Sequence, residues 1–246
     1  MQAKTSWFAY YKPSPKARLR LFCFPYAGGG ASIYHRWNSP EALELCLVQL
    51  PGHETRVTEQ PLTHMDELSA RLVESLRPYL DIPFAFFGHS LGAIVSYEVA
   101  QRLLTELHLQ PRHLLVSARR APQIPLRRGI SHQLPNEAFM RRLRQLKGTR
   151  EEVLENTELM ELMLPALRAD FELDETYQRR ASYLPLDCPV TAFGGMEDDE
   201  VPQEDLEAWR EVTLNCFRLK MFPGDHFFIH SQSESLLASI TEALLE

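Results

Sequence analysis

The chain has 246 residues, 44% hydrophobic and 24% charged, which fits one large globular domain able to bury a substantial core. A net charge of −7 argues against a general nucleic-acid or anionic-membrane binder, which would need basic surface. No run approaches the ~18 apolar residues of a membrane-crossing helix, and the first twenty residues hold no apolar secretory core, so the expected location is the cytoplasm.

In chain order, short apolar runs alternate with helical patterns. Residues 18–24 (RLRLFCF), 44–50 (ELCLVQL), 84–88 (FAFFG), 113–118 (HLLVSA), 188–195 (CPVTAFGG) and 217–222 (FRLKMF) each read as a strand. Most lack polar alternation, as strands buried on both faces of a parallel sheet do. Helical periodicity follows in MDELSARLVESLRPYL, in the stretch after Ser90, in EDLEAWREVT and in the closing SESLLASITEALL. The alternation predicts an open α/β fold with right-handed crossovers.

The pattern breaks between about Arg120 and Tyr183, where no strand is evident. PNEAFMRRLRQLKG reads as a helix with Asn136 as N-cap and Gly148 just past its end. The following REEVLENTELMELMLPALRADFELDETYQ continues helically with an interruption at Pro165. The expectation is a core made of residues 1–119 and 184–246, with a helical insertion at 120–183. Residues 112–150 carry ten Lys/Arg against Glu137, and residues 151–177 carry nine Asp/Glu against Arg168, so a basic block precedes an acidic one.

The four cysteines, Cys23, Cys46, Cys188 and Cys216, show neither CxxC nor any Cys/His zinc spacing. They are expected to be reduced core residues.

The segment FAFFGHSLGAIVSYEVAQRLL runs an apolar strand into Gly-His-Ser-Leu-Gly and then directly into a helix. G-x-S-x-G between a strand and a helix is the nucleophile-elbow pattern, in which glycines permit a strained turn that exposes the serine oxygen. Ser90 is the candidate nucleophile. A serine needs a general base, itself oriented by an acid, and on this architecture the order is serine, acid, histidine. His226, in the Pro-Gly loop after the last strand, stands where that base belongs, with His230 as its rival. A metal-binding reading of the pair lacks the HExxH glutamate. The loop after residues 188–195 offers Glu197, Asp198, Asp199 and Glu200 as acids, and spacing alone does not choose among them. Three glycines in FPYAGGG, after the first long strand, allow backbone N–H groups to approach an oxyanion closely.

LFCFPYAGGGASIYHRW, LPGHETR, FFGHSLGA, LPALRADFELDETY, CPVTAFGG, LEAWREVT and FPGDHFFI occur in the order and context of the type II thioesterases, and the chain resembles that family from about residue 7 onward. These are stand-alone editing hydrolases of polyketide and non-ribosomal peptide assembly lines; a related vertebrate group releases medium chains from fatty acid synthase. The resemblance implies an α/β-hydrolase fold with a mostly parallel sheet and a helical lid at 120–183. It implies that acyl thioesters on the phosphopantetheine arm of acyl or peptidyl carrier proteins are hydrolysed through an acyl-serine, without metal or organic cofactor; a monomer is the default expectation. It assigns Ser90 as nucleophile, His226 as base and Asp198 as acid, with the backbone N–H groups of Leu91 and Ala27 as the oxyanion hole. PGDH in place of PGGH, and LPGHE in place of LPGRE, depart from the family pattern; Asp225 beside His226 bears on the acid assignment.

Carriers in such systems are acidic and present a phosphate, so Arg119, Arg120, Arg127 and Arg128 are candidate carrier contacts. The competing expectation is that the basic block pairs with the acidic one inside the lid, at little net stability. Two other readings are a serine esterase or lipase acting on free small esters, and a non-hydrolytic docking protein on the same fold.

Overall fold

Six strands follow the apolar runs: β2 (Leu19–Phe24), β3 (Leu43–Val48), β4 (Phe84–His89), β5 (Leu114–Ser117), β6 (Val190–Gly195) and β7 (Phe217–Phe222). A seventh, β1 (Phe8–Ala9), is too short to show a pattern in the sequence. The computed structural model describes residues 6–9 and 13–245. The sheet order is β1-β3-β2-β4-β5-β6-β7, parallel throughout except for β1, which pairs antiparallel with β3. This is the mostly parallel α/β sheet that the sequence predicts.

Both faces of the sheet are covered, and successive residues of one strand enter different cores. Phe22, Phe24 and Phe86 join one cluster, while Leu21, Cys23 and Phe87 join the other; all six are fully buried. The first face is covered by α1 (Met65–Leu76) and α2 (Leu91–Leu107), the second by α8 (Ser233–Leu245) with Tyr34 and Trp37. The short helices α6 (Gln203–Glu207) and α7 (Phe228–Ser231) follow β6 and β7 respectively. Among the described residues no helix is long and apolar enough to cross a membrane.

Residues 120–183 contain α3 (Asn136–Leu146), α4 (Glu151–Leu154) and α5 (Thr157–Glu175), packed around a small core of Phe139, Leu143, Leu154, Met160, Leu167 and Phe171. Three local expectations are corrected here. Pro165 does not interrupt α5: it and Glu161 are both exposed, so water can meet the carbonyl that Pro165 has no N–H to bond. Asn136 is the first residue of α3 rather than its N-cap, and its Oδ1 accepts from Arg168 Nη2 at 2.7 Å. The left-handed residue ending α3 is Lys147 (φ 59°), not Gly148. Gly148 is used for close approach instead, since a Cβ there would sit 2.3 Å from the Phe227 ring.

Cys23, Cys46 and Cys188 are buried free thiols. Cys216 is exposed, against expectation, because it precedes the outermost strand β7, where only Phe222 is buried.

Candidate active site

Ser90 sits between β4 and α2 with φ 53° and ψ −116°, a conformation that costs a non-glycine residue about 1–3 kcal/mol. Its N–H donates to the Ser117 carbonyl of β5 at 2.8 Å, and its own carbonyl accepts from Ala93 N–H at 3.0 Å. The flanking glycines are steric requirements. A Cβ on Gly88 would lie 2.1 Å from the Gly92 carbonyl oxygen, and one on Gly92 would lie 2.1 Å from that of Phe24. Only bare backbone lets the helix start fold back against the strand ends. The Ser90 hydroxyl does not cap α2; it turns toward His226, whose Nε2 lies 3.0 Å from Oγ.

His226 lies in the loop after β7, and its Nδ1 is 2.8 Å from Asp198 Oδ2. Of the four acids at 197–200, Asp198 is the one whose carboxylate reaches the imidazole. Its other oxygen accepts from the N–H groups of Glu200 at 2.8 Å and Val201 at 3.2 Å, and its side chain is 1% exposed. The loops carrying the acid and the histidine are pressed together, with Glu197 N–H donating to Gly224 carbonyl at 3.0 Å. A Cβ on Gly195 would stand 2.4 Å from the Asp225 carbonyl. The Asp225 carboxylate turns away and accepts from Phe227 N–H at 2.9 Å, while His230 bonds the Tyr26 hydroxyl at 2.9 Å.

His89, read from the sequence only as a neighbour of the serine, is fully buried behind the site. Its Nε2 donates to the His226 carbonyl at 3.0 Å, which leaves Nδ1 to accept from the Ser117 hydroxyl at 2.9 Å. Burial, reinforced by the nearby His226, pushes its pKa well below the usual imidazole range. A neutral His89 thus fixes the backbone that carries His226.

On the other side of Ser90, the N–H groups of Ala27 and Leu91 meet no hydrogen-bond partner among the described residues. Leu91 is the first residue of α2, where an unbonded N–H is inherent to the helix. The Ala27 turn is braced from α5: Asp170 Oδ2 accepts from Gly28 N–H at 2.6 Å and bonds His53 Nε2 at 2.8 Å. Burial opposes a charged His53, but Asp170's charge and hydrogen bond outweigh it and raise the pKa. So the histidine of LPGHE has a carboxylate partner. The sequence signal for Asp170 is an acid on the α5 face that also carries Leu167, Phe171 and Asp174; counting it within an acidic block hid it.

Ser90, His226 and Ala27 open on a cavity of about 60 Å³. Its lining combines apolar Leu143, Leu167, Phe171 and Val201 with charged Arg119, Arg128, Asp174 and Glu200. Arg119 is buried and bonded to Asp174. Arg128 bonds Glu200 and lies 3.3 Å from Asp174, and Arg142 Nη2 bonds Glu200 at 2.6 Å. Arg127 pairs with Asp205 at 2.6 Å, and Arg120 donates to the Ile124 carbonyl at 3.2 Å. The basic block therefore pairs with the acidic block at Asp174 and, through Arg144, at Glu151, and also with Glu200 and Asp205 outside it.

Residues 19–244 match the family described as Thioesterase domain. The chain is 44% identical over 240 residues to the gramicidin S biosynthesis protein GrsT of Aneurinibacillus migulanus, spanning 97% of this chain and 93% of that one. Among solved structures it is similar to the type II thioesterase BorB from the borrelidin biosynthetic cluster, with TM-score 0.87 and 36% identity over 98% of each chain. It is also similar to YbtT, a type II thioesterase from the yersiniabactin NRPS/PKS pathway, with TM-score 0.84 and 32% identity over 94% of this chain and 95% of that one.

Proposed function

The chain belongs to the thioesterase family, and from that premise we propose that it is a type II editing enzyme, hydrolysing acyl thioesters on the phosphopantetheine arm of acyl or peptidyl carrier proteins. The observation that carries the reading is His226 standing between Ser90 Oγ at 3.0 Å and Asp198 Oδ2 at 2.8 Å.

The chemistry follows from these contacts. His226 Nε2 takes the Ser90 proton as Oγ attacks the thioester carbonyl carbon, forming a C–O bond and a tetrahedral oxyanion. Asp198 fixes the Nδ1–H tautomer and stabilises the imidazolium. The oxyanion accepts from the N–H groups of Leu91 and Ala27, each worth about 3 kcal/mol in a preorganised hole. Collapse breaks the C–S bond, and the His226 proton goes to the departing pantetheine sulfur. That leaving group is good because a thiol, of pKa about 8.5, carries negative charge far more readily than an alcohol. Water, deprotonated by His226, then attacks the acyl-serine carbonyl; collapse breaks the C–Oγ bond, His226 returns the proton to Ser90 Oγ, and the free acid leaves. The reaction as written calls on neither a metal nor an organic cofactor. Of the four candidate carrier contacts, Arg127 has an open side chain, 57% exposed, whereas Arg119 is sealed inside.

Intact-mass spectrometry of an acetyl-loaded carrier protein, incubated with wild type or Ser90→Ala, tests the reading. Loss of the acetyl mass with wild type alone is the expected result. Survival of the acetyl-carrier with both proteins, together with cleavage of a free oxygen ester by wild type, would replace it with a serine esterase.

A further inference from the structure

Leu167 lies between two cavities. On one side is the chamber at Ser90; on the other is a larger cavity of about 320 Å³ between α5 and the 52–57 loop, lined by Gly52, Val57, Leu159, Met163 and Ala166. Leu167 lines both and is 2% exposed. It closes against the turn that carries the Ala27 N–H: a Cβ on Gly28 would stand 2.4 Å from Leu167 Cδ2. The partition is therefore one side chain packed on bare backbone.

The smaller chamber, about 60 Å³, holds roughly two to four water-sized groups. A longer acyl chain attached at Ser90 has two directions. Toward Arg119, Arg128, Asp174 and Glu200 it would lie against ion-paired groups and against the Arg119 and Arg128 Nε–H groups, which are buried without a partner among the described residues and would gain no hydrogen bond from a hydrocarbon. Toward Leu167 it meets apolar surface, and the polar groups beyond are already engaged, His53 by Asp170 and Glu54 by Ser32. The apolar direction is the one a hydrocarbon takes, and Leu167 stops it.

We infer that Leu167 sets acyl-chain length: with it in place the site takes short acyl groups, and the neighbouring cavity that Leu167 also lines is an unused hydrocarbon site. The inference rests on the thioesterase reading above. The probes are acetyl, butyryl, hexanoyl and octanoyl thioesters of N-acetylcysteamine, with kcat/KM measured for wild type, Leu167→Ala, Leu167→Val and Leu167→Ala/Val57→Phe. Wild type is expected to favour acetyl over octanoyl at least tenfold. Leu167→Ala shifts that ratio at least tenfold toward octanoyl, and Leu167→Val, a smaller truncation that keeps the lid core fuller, shifts it less in the same direction. Val57→Phe, by filling the second cavity, returns the double variant's ratio toward wild type. A uniform loss at every chain length, or a wild type indifferent to length, would overturn the role of Leu167 while leaving the thioesterase intact. Absence of Ser90-dependent hydrolysis of every thioester would overturn both.

Discussion

Replacing Asp174 by Asn asks how much of the attachment of the 120–183 segment rests on one buried carboxylate. Asp174, near the end of α5, has a side chain 7% exposed; it bonds Arg119, 5% exposed, and lies 3.3 Å from Arg128. Burial opposes its ionisation, but Arg119, Arg128 and Arg120 together outweigh burial and hold the carboxyl below the usual carboxylate range. Asn would leave Arg119 buried beside two like charges. Removing one partner of a buried pair costs about 3–5 kcal/mol. With an m value of about 3 kcal/mol/M in urea, a 4 kcal/mol loss moves the midpoint by roughly 1.3 M. Arg119→Met should cost less, since Asp174 then keeps Arg128. Arg119→Met/Asp174→Leu should recover most of the stability, because apolar residues of similar volume replace buried pairs at little loss. The sign of the pH dependence follows from the depressed carboxyl: its contribution is complete above the unfolded value of 3.8 and is lost as pH falls through the folded one. The gap between wild type and Asp174→Asn is therefore flat from pH 8 to 5 and closes in acid. Urea melts followed by circular dichroism at several pH values measure all of this. A cost for Asp174→Asn below about 1 kcal/mol, or no greater than that of Arg119→Met, would show that the carboxylate does not hold the segment.

Asp198→Asn should lower kcat on a carrier thioester by about 10³–10⁴ with little change in KM, because the imidazole loses its tautomer and its partner; a loss under tenfold would remove Asp198 from the catalytic set. Gly92→Ala places a Cβ 2.1 Å from the Phe24 carbonyl, so activity and melting temperature should both fall, and a near-native melt would contradict the close approach. His89 is neutral when folded and protonates near 6.5 when unfolded, so the unfolded state binds more protons below that pH. Stability then drops by up to about 1.4 kcal/mol per pH unit below 6.5. His89→Gln, which keeps a donor for the His226 carbonyl, should flatten this acid slope, and an unchanged slope would assign it to other groups.

The sheet was legible because strands covered on both faces are continuous apolar runs, and six of them stand clear of their surroundings. β1 was not, since two residues carry no period. The elbow was legible because Gly88 and Gly92 bracket a serine where a strand pattern gives way to a helical one. The choice of Asp198 among four acids is different in kind: it depends on the Glu200 and Val201 amides that hold one carboxylate inward, and backbone direction in a loop leaves no trace in composition. His89, His53 and Asp170 were missed for a related reason. Each is a polar side chain buried by contacts to distant segments, the His53–Asp170 pair spanning 117 positions, and a single residue in a local window announces neither its partner nor its burial. The arginines carried two readings, carrier docking and pairing inside the fold, and number alone did not choose; Arg119 follows the second, bonded to Asp174 inside.

Glu200 is gripped by Arg128 and Arg142 from the 120–183 segment and stands two positions beyond Asp198. The carboxylate that bonds the His226 imidazole and the carboxylate that receives the 120–183 segment thus share one short stretch of chain, and their spacing is a shared dimension of both. The 120–183 segment is consequently not an interchangeable part. A segment grafted from a relative would have to bring guanidinium groups to these two places, or a change made there would be felt at the Asp198–His226 contact.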